Sequence, residues 1–113
     1  MTDIAARPET DWEPFRCEVT PEREAVRVKP VGELDIASVE ELSRPLRELC
    51  EAGFSTLLLD LSELRFIDST GIRALLEARA TAERHEVALR ILPGPPAVQR
   101  AMEITGVAEL LLP

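Results

Sequence analysis

The chain has 113 residues with 21 acidic and 13 basic side chains, a net charge of -8, and is expected to form a single domain. An acidic surface is repelled by nucleic-acid phosphates and by anionic lipids, which argues against non-specific binding to either. The sequence shows no apolar signal segment and no apolar run near the roughly 20 residues that a membrane helix needs. We therefore expect a soluble, cytoplasmic protein without direct membrane insertion.

Cysteine and histidine are scarce, with Cys17, Cys50 and His85 as the whole supply. Neither cysteine has a second cysteine or a histidine at metal-ligand spacing, so both are expected to be reduced apolar side chains. His85 lies in a charged stretch and is expected on the surface. These residues predict no metal site and no cofactor.

The first part of the chain predicts a leader followed by a hairpin. Residues 1–13 are polar and aperiodic and are expected to form a flexible leader before the folded domain at residues 14–113. Residues 15–20 alternate between apolar and polar, which predicts a half-buried strand. A polar turn and a second apolar-rich run, residues 25–34, complete the hairpin. Pro30 interrupts this run, so we expect it at a bulge or an edge.

A helix is expected after the hairpin. Ser38 and Glu41 have the spacing of a capping box, in which the hydroxyl and the carboxylate each satisfy a free amide of the first turn. Pro45 removes one helical hydrogen bond and should kink the helix, and Gly53 should close it. The apolar stripe of this helix comprises Val39, Leu42, Leu46 and Leu49.

The second half of the chain alternates strands and helices. Residues 56–61 are almost wholly apolar, which indicates a central strand covered on both faces. A helix after Ser69 is expected to run to about Glu83, and residues 87–92 predict another strand. A proline-rich break introduces a last helix that Gly106 should end. Together with a short apolar end piece, the order β-β-α-β-α-β-α-(β) predicts an α/β fold with a parallel or mixed sheet.

Enzyme chemistry finds little support in the sequence. Walker and GxGxxG loops are missing, and a Ser-His-Asp triad could use only His85. A helix of about 14 residues places that histidine about 20 Å from Ser69, too far for proton transfer. Asp60 and Asp68 could form an acid–base pair, but nothing organises them. We therefore expect a protein with no catalytic residues.

The junction before the third predicted helix carries a carboxylate and two hydroxyls, in the order Asp68, Ser69 and Thr70. The simplest interpretation is structural, with Asp68 or Ser69 as the N-cap. The functional interpretation is that Ser69 accepts a phosphoryl group, which adds about -1.5 to -2 charge. A helix start tolerates an anion, so such a group could block a partner without unfolding the domain.

The segment FIDSTG at residues 66–71 resembles the phosphorylation motif of STAS domains, and is closest to that of the bacterial anti-sigma factor antagonists. Three further segments agree with the family in order and spacing: GELD at 32–35, LLLDL at 57–61 and ITGV at 104–107. The resemblance extends over roughly residues 14 to 112. It implies a four- to five-stranded mixed sheet with three to four helices packed on it.

The resemblance also implies a partner-switching cycle. The unphosphorylated antagonist binds an anti-sigma factor, itself a serine kinase of the GHKL type, and so releases the sigma factor. The kinase phosphorylates Ser69 and a PP2C-type phosphatase reverses the reaction. Thr70 also carries a hydroxyl, and the sequence leaves it as an alternative acceptor. The residues expected at the partner contact are Asp35, Asp68, Ser69, Thr70, Gly71 and Arg73, with Gly71 allowing the partner to come close.

Other functions are compatible with the same fold. STAS domains also serve as scaffolds in stress-signalling assemblies and as subunits of lipid or anion transporters. Nucleotide binding is a further class, for which Arg65 and Arg73 are the basic residues next to the motif. We expect a monomer or a weak dimer.

Overall fold

The computed structural model describes residues 14–106. The predicted leader and the apolar end piece after Gly106 lie outside the described residues. In chain order the elements are β1 Arg16–Glu22, β2 Ala25–Leu34, α1 Val39–Glu51, β3 Thr56–Asp60, β4 Leu64–Ile67, α2 Ser69–Arg84, β5 Ala88–Leu92 and α3 Pro96–Ile104.

The sheet is mixed, with the strand order β1-β2-β3-β5. β1 and β2 form the predicted antiparallel hairpin, while β3 runs parallel to both β2 and β5. The short strand β4 pairs in parallel with the last part of β2. The α/β class and the mixed sheet expected from the sequence are therefore confirmed.

Pro30 lies where β2 passes from one neighbour to the next. The pairing of β2 with β3 ends at Val28 and Leu59, and its pairing with β4 starts at Gly32 and Leu64. Proline has no amide hydrogen to donate to a sheet. Its position in this gap leaves both parallel pairings intact, and it explains why a strand with neighbours on both sides can contain a proline.

The sequence did not indicate β4 as a strand of its own. Leu64 and Ile67 are buried while Arg65 and Phe66 are exposed, so its four residues do not alternate and carry no period-two signal. β4 leads directly to Asp68 and the first turn of α2. It is therefore the element that sets the position of the candidate site.

The core lies on one face of the sheet. Buried strand residues on this face include Val26, Val28, Leu57, Leu59 and Ile91. On the opposite face Leu58 is only partly buried, and Arg27 contacts Asp60 at 2.9 Å. The expectation that β3 is covered on both faces is therefore wrong for the described residues, because its second face carries polar groups.

The start of α1 differs from the predicted capping box. Ser38 precedes the helix, but its hydroxyl donates to Glu33 O at 2.6 Å and accepts from Asp35 N at 3.1 Å. This buried hydroxyl closes the turn after β2 and makes no cap hydrogen bond to the helix. The helix then continues through Pro45, and Gly53 follows its end at φ 93°.

Candidate functional site

The site lies at the carboxyl ends of β2 and β4. These strands are parallel neighbours in which Leu34 is opposite Ile67, so the residues that follow them emerge at the same edge. Asp68 N donates to Leu34 O at 3.3 Å and extends the pairing by one contact. The fold thus brings Asp35 next to the Asp68–Ser69 segment, although 33 positions separate the two aspartates in the sequence.

Asp68 is the N-cap of α2. Its backbone is extended, with φ -111° and ψ -171°, and its Oδ1 accepts from Gly71 N at 3.0 Å. A carboxylate suits this position because it satisfies a free amide and faces the positive end of the helix dipole. The structural interpretation of the motif is therefore confirmed for Asp68, and Ser69 becomes the first residue of the helix.

Ser69 is left available by this cap. Its side chain is exposed, and its hydroxyl makes no hydrogen bond to any of residues 14–106. Thr70, the second candidate acceptor, is only partly exposed. The Ser69 oxygen is therefore more accessible from outside the protein than the Thr70 oxygen.

Gly71 is buried against the chain itself. A Cβ at this position would lie 2.8 Å from Leu34 O and 2.8 Å from the Cγ1 of Ile67, closer than van der Waals contact allows. The glycine therefore lets α2 pass over the end of β2. The close packing of α2 on Leu34 and Ile67 is enough to require glycine here. Contact of Gly71 with a partner stays a prediction.

The two remaining predicted residues flank the serine. Asp35 is partly exposed, and its Oδ1 accepts from Ala37 N at 3.0 Å within the turn after β2. Arg73 is exposed and lies one turn after Ser69 on α2. The structure thus gathers the six predicted partner-contact residues at one end of the sheet.

Two exposed apolar side chains at this end were not predicted as contacts. Ile36, in the turn after β2, is 79% exposed, and Phe66 in β4 is 47% exposed. One feature of the sequence indicated that Ile36 is exposed, namely that it lies outside the apolar stripe of the helix that follows. Phe66 was noted as part of the motif, but its exposure depends on how β4 pairs with β2.

Two residues considered for catalysis are unavailable for it: Asp60 is already hydrogen-bonded, and His85 lies far from Ser69. Asp60 accepts from Arg27 Nη1 at 2.9 Å and from Ser62 N at 2.9 Å. Burial acts to raise the pKa of Asp60, but these hydrogen bonds and the Arg27 charge outweigh it and the pKa is lowered. His85 follows the last turn of α2, whose 16 residues separate it from Ser69 by about 24 Å.

The described part of the chain gives no sign of a metal centre or a membrane span. Among residues 14–106, His, Cys, Asp and Glu form no group of three or more able to hold a metal ion. Within the same range, none of the helices is long and apolar enough to cross a membrane. Both cysteines are free thiols, with Cys50 buried and Cys17 partly buried.

The fold and the site define an α/β domain in which an exposed serine opens a helix at the carboxyl ends of two parallel strands. A family model described as "Mlab, STAS domain" matches residues 17–113. The chain belongs to the STAS domain family, as the resemblance of its motifs implied.

Known proteins similar to this chain include an anti-sigma-B factor antagonist from Staphylococcus aureus (strain NCTC 8325 / PS 47). The two are 29% identical over 94 residues, which cover 83% of this chain and 87% of the relative. A crystal structure of an anti-sigma factor antagonist from Mycobacterium paratuberculosis has a TM-score of 0.78 at 20% identity, covering 87% of this chain and 83% of that one. The anti-sigma factor antagonist SpoIIAA in its unphosphorylated form has a TM-score of 0.70 at 24% identity, with coverage of 88% and 86%. These structures share the fold described above.

Proposed function

We propose that this protein is a cytoplasmic anti-sigma factor antagonist that acts by binding and not by catalysis. It binds an anti-sigma factor when Ser69 is unmodified and releases it when Ser69 is phosphorylated. The observation that carries this proposal is the exposed Ser69 hydroxyl, which has no hydrogen-bond partner among residues 14–106 and lies next to the Asp68 cap. The relatives named anti-sigma-B factor antagonist support the same assignment.

The surface around Ser69 suits a protein partner. Ile36 and Phe66 provide exposed apolar contacts, and apolar side chains near the centre of an interface contribute much of its binding free energy. Asp35, Asp68 and Arg73 add charged groups at the same end of the sheet. A phosphoryl group on Ser69 would add about -1.5 to -2 charge to this end. It would therefore oppose partner binding by both volume and charge.

The domain itself is expected to accept the modification. The Ser69 side chain is exposed and its hydroxyl makes no hydrogen bond to any of residues 14–106, so adding a group to this oxygen breaks no hydrogen bond of the described fold. The Gly71 amide is already bonded to Asp68. The main effect of phosphorylation should therefore be on the partner, which is the requirement for a binding switch.

The partners that fit this cycle are an anti-sigma factor of the GHKL serine-kinase type and a PP2C-type phosphatase. The first experiment incubates the protein with the host's candidate anti-sigma kinase and ATP and maps the modification by mass spectrometry. We expect phosphate on Ser69 in the wild-type protein and in the Thr70→Ala control, and none in Ser69→Ala. Phosphorylation of Ser69→Ala at an unchanged rate would overturn the assignment of the acceptor.

The second experiment measures partner affinity. Ser69→Ala should bind the kinase like the wild-type protein, while Ser69→Asp should bind at least about tenfold more weakly, a loss of about 1.4 kcal/mol. Equal affinity of Ser69→Asp and wild type would contradict the switch. Capture of a transporter ATPase in place of a kinase would instead favour the role of a transporter subunit.

A further inference from the structure

Arg73 lies one helical turn after Ser69 on the exposed surface of α2. Residues four apart on a helix are neighbours, with about 5–6 Å between their Cβ atoms. The Cα–Cβ bonds of a helix tilt toward its N-terminus, so a long side chain at the later position leans back over the earlier one. The guanidinium of Arg73 can therefore reach a group attached to the Ser69 oxygen.

The side chain of Arg73 also has no bonding partner in the described part of the chain. Arg27 pairs with Glu22 and Asp60, and Arg47 pairs with Glu40. Arg73, by contrast, makes no hydrogen bond or ion pair to any of residues 14–106. A new contact with Ser69 would therefore break none that the described structure contains.

We propose that Arg73 is the intramolecular partner of a phosphoryl group on Ser69, a role that rests on the proposed phosphorylation of this serine. The planar guanidinium offers two parallel N–H donors to phosphate oxygens, a stronger and more directional contact than a lysine would give. The Gly71 amide cannot provide the same contact, since the Asp68 carboxylate already occupies it.

This contact makes the switch act on two groups at once. In the unmodified protein Arg73 is a cation next to Ser69, available to an acidic group of the partner. Phosphorylation adds about -1.5 to -2 charge and draws the guanidinium back onto the chain's own helix. The partner thus meets a new anion and loses a cation in the same step.

The test inserts phosphoserine at position 69 during translation, so that no kinase is needed, and follows the phosphate by 31P NMR as the pH is varied. The second pKa of phosphoserine is about 6 when no cation is near. Arg73 stabilises the dianion, so this pKa should be lower in the wild-type protein than in Arg73→Gln by about 0.3 unit or more. Arg73→Lys keeps the charge but loses the two parallel N–H donors of the guanidinium, so it should retain part of this lowering of the phosphoserine pKa.

Arg65→Gln is the matched control, because Arg65 is also exposed and belongs to the neighbouring strand β4. This variant should titrate like the wild-type protein, and thermal unfolding of the unmodified forms confirms that each variant is folded. Identical titration of the wild type and Arg73→Gln, or a larger shift in Arg65→Gln, would overturn the role of Arg73. Because the phosphoserine is inserted directly, that result would leave the kinase proposal standing, and a failed kinase reaction would leave the titration interpretable.

Discussion

Gly71 is the third residue of α2, a position at which intrinsic propensity favours alanine by about 0.8–1.0 kcal/mol. The structure reverses this preference, since a Cβ would meet Leu34 O at 2.8 Å. The obstacle is a backbone carbonyl that also accepts from Asp68 N. Moving it aside would therefore disturb the contact that joins β2 to the start of α2.

Gly71→Ala should consequently destabilise the protein, by about 1–3 kcal/mol, because the added methyl overpacks the junction. Urea denaturation measures the change in the free energy of unfolding. If the Cβ met no close contact, the same substitution would raise the free energy of unfolding, because alanine favours a helix more than glycine does. A decrease therefore supports the close contact, and an increase contradicts it. Thr70→Ala, one residue earlier and partly exposed, is the control and should change stability much less.

The start of α2 assigns the cap to Asp68 and places Ser69 as the first residue of the helix. Asp68 satisfies one of the free amides of the first turn through its contact with Gly71 N, and this leaves the Ser69 hydroxyl unbonded among residues 14–106. A serine N-cap would have used its own oxygen for the helix. Because the aspartate forms the cap, the Ser69 oxygen, which is the proposed phosphoryl acceptor, stays accessible.

Asp68→Ala should lower the free energy of unfolding by about 0.5–2 kcal/mol through loss of the cap. Asp68→Asn keeps an acceptor oxygen and should retain most of the stability while removing the charge. Thermal unfolding of the two variants separates these contributions. If Asp68→Ala were as stable as Asp68→Asn, the hydrogen bond to Gly71 would have no energetic role.

Much of this architecture could be predicted from the sequence, because the longer elements have clear periodic patterns. The start of α2 after Asp68 and the end of α1 before Gly53 follow from local chemistry. β4 was missed because four residues without alternation carry no such pattern. The exposure of Ile36 and Phe66 and the close approach of Gly71 depend on how distant strands pair, which no local pattern records.

The sheet has an apolar face under the helices and a polar face that carries ion pairs. Arg27 joins β2 to β3 through Asp60 at 2.9 Å and also contacts Glu22 in β1 at 2.8 Å. Asp60 is the more buried partner, with 13% of its side chain exposed against 32% for Arg27. This network connects three neighbouring strands, so its charge state bears on the stability of the sheet as a unit.

The lowered pKa of Asp60 predicts how stability depends on acid. Burial alone would raise this pKa, but the hydrogen bonds from Ser62 and Arg27 and the Arg27 charge outweigh it, so the pKa of Asp60 in the folded protein lies below its usual range. A carboxylate with a depressed folded pKa stabilises the protein above its unfolded pKa, and this contribution is lost as the pH falls through the folded value.

Urea denaturation at a series of pH values should therefore show a loss of stability below about pH 4 in the wild-type protein. Asp60→Asn should be less stable near neutral pH and should show a shallower acid dependence, since it has no proton to gain at this position. Glu33→Gln is the control, because Glu33 is exposed and its side chain makes no ion pair within residues 14–106. An acid dependence that is equally steep in Asp60→Asn and Glu33→Gln would show that Asp60 does not link protonation to the stability of the sheet.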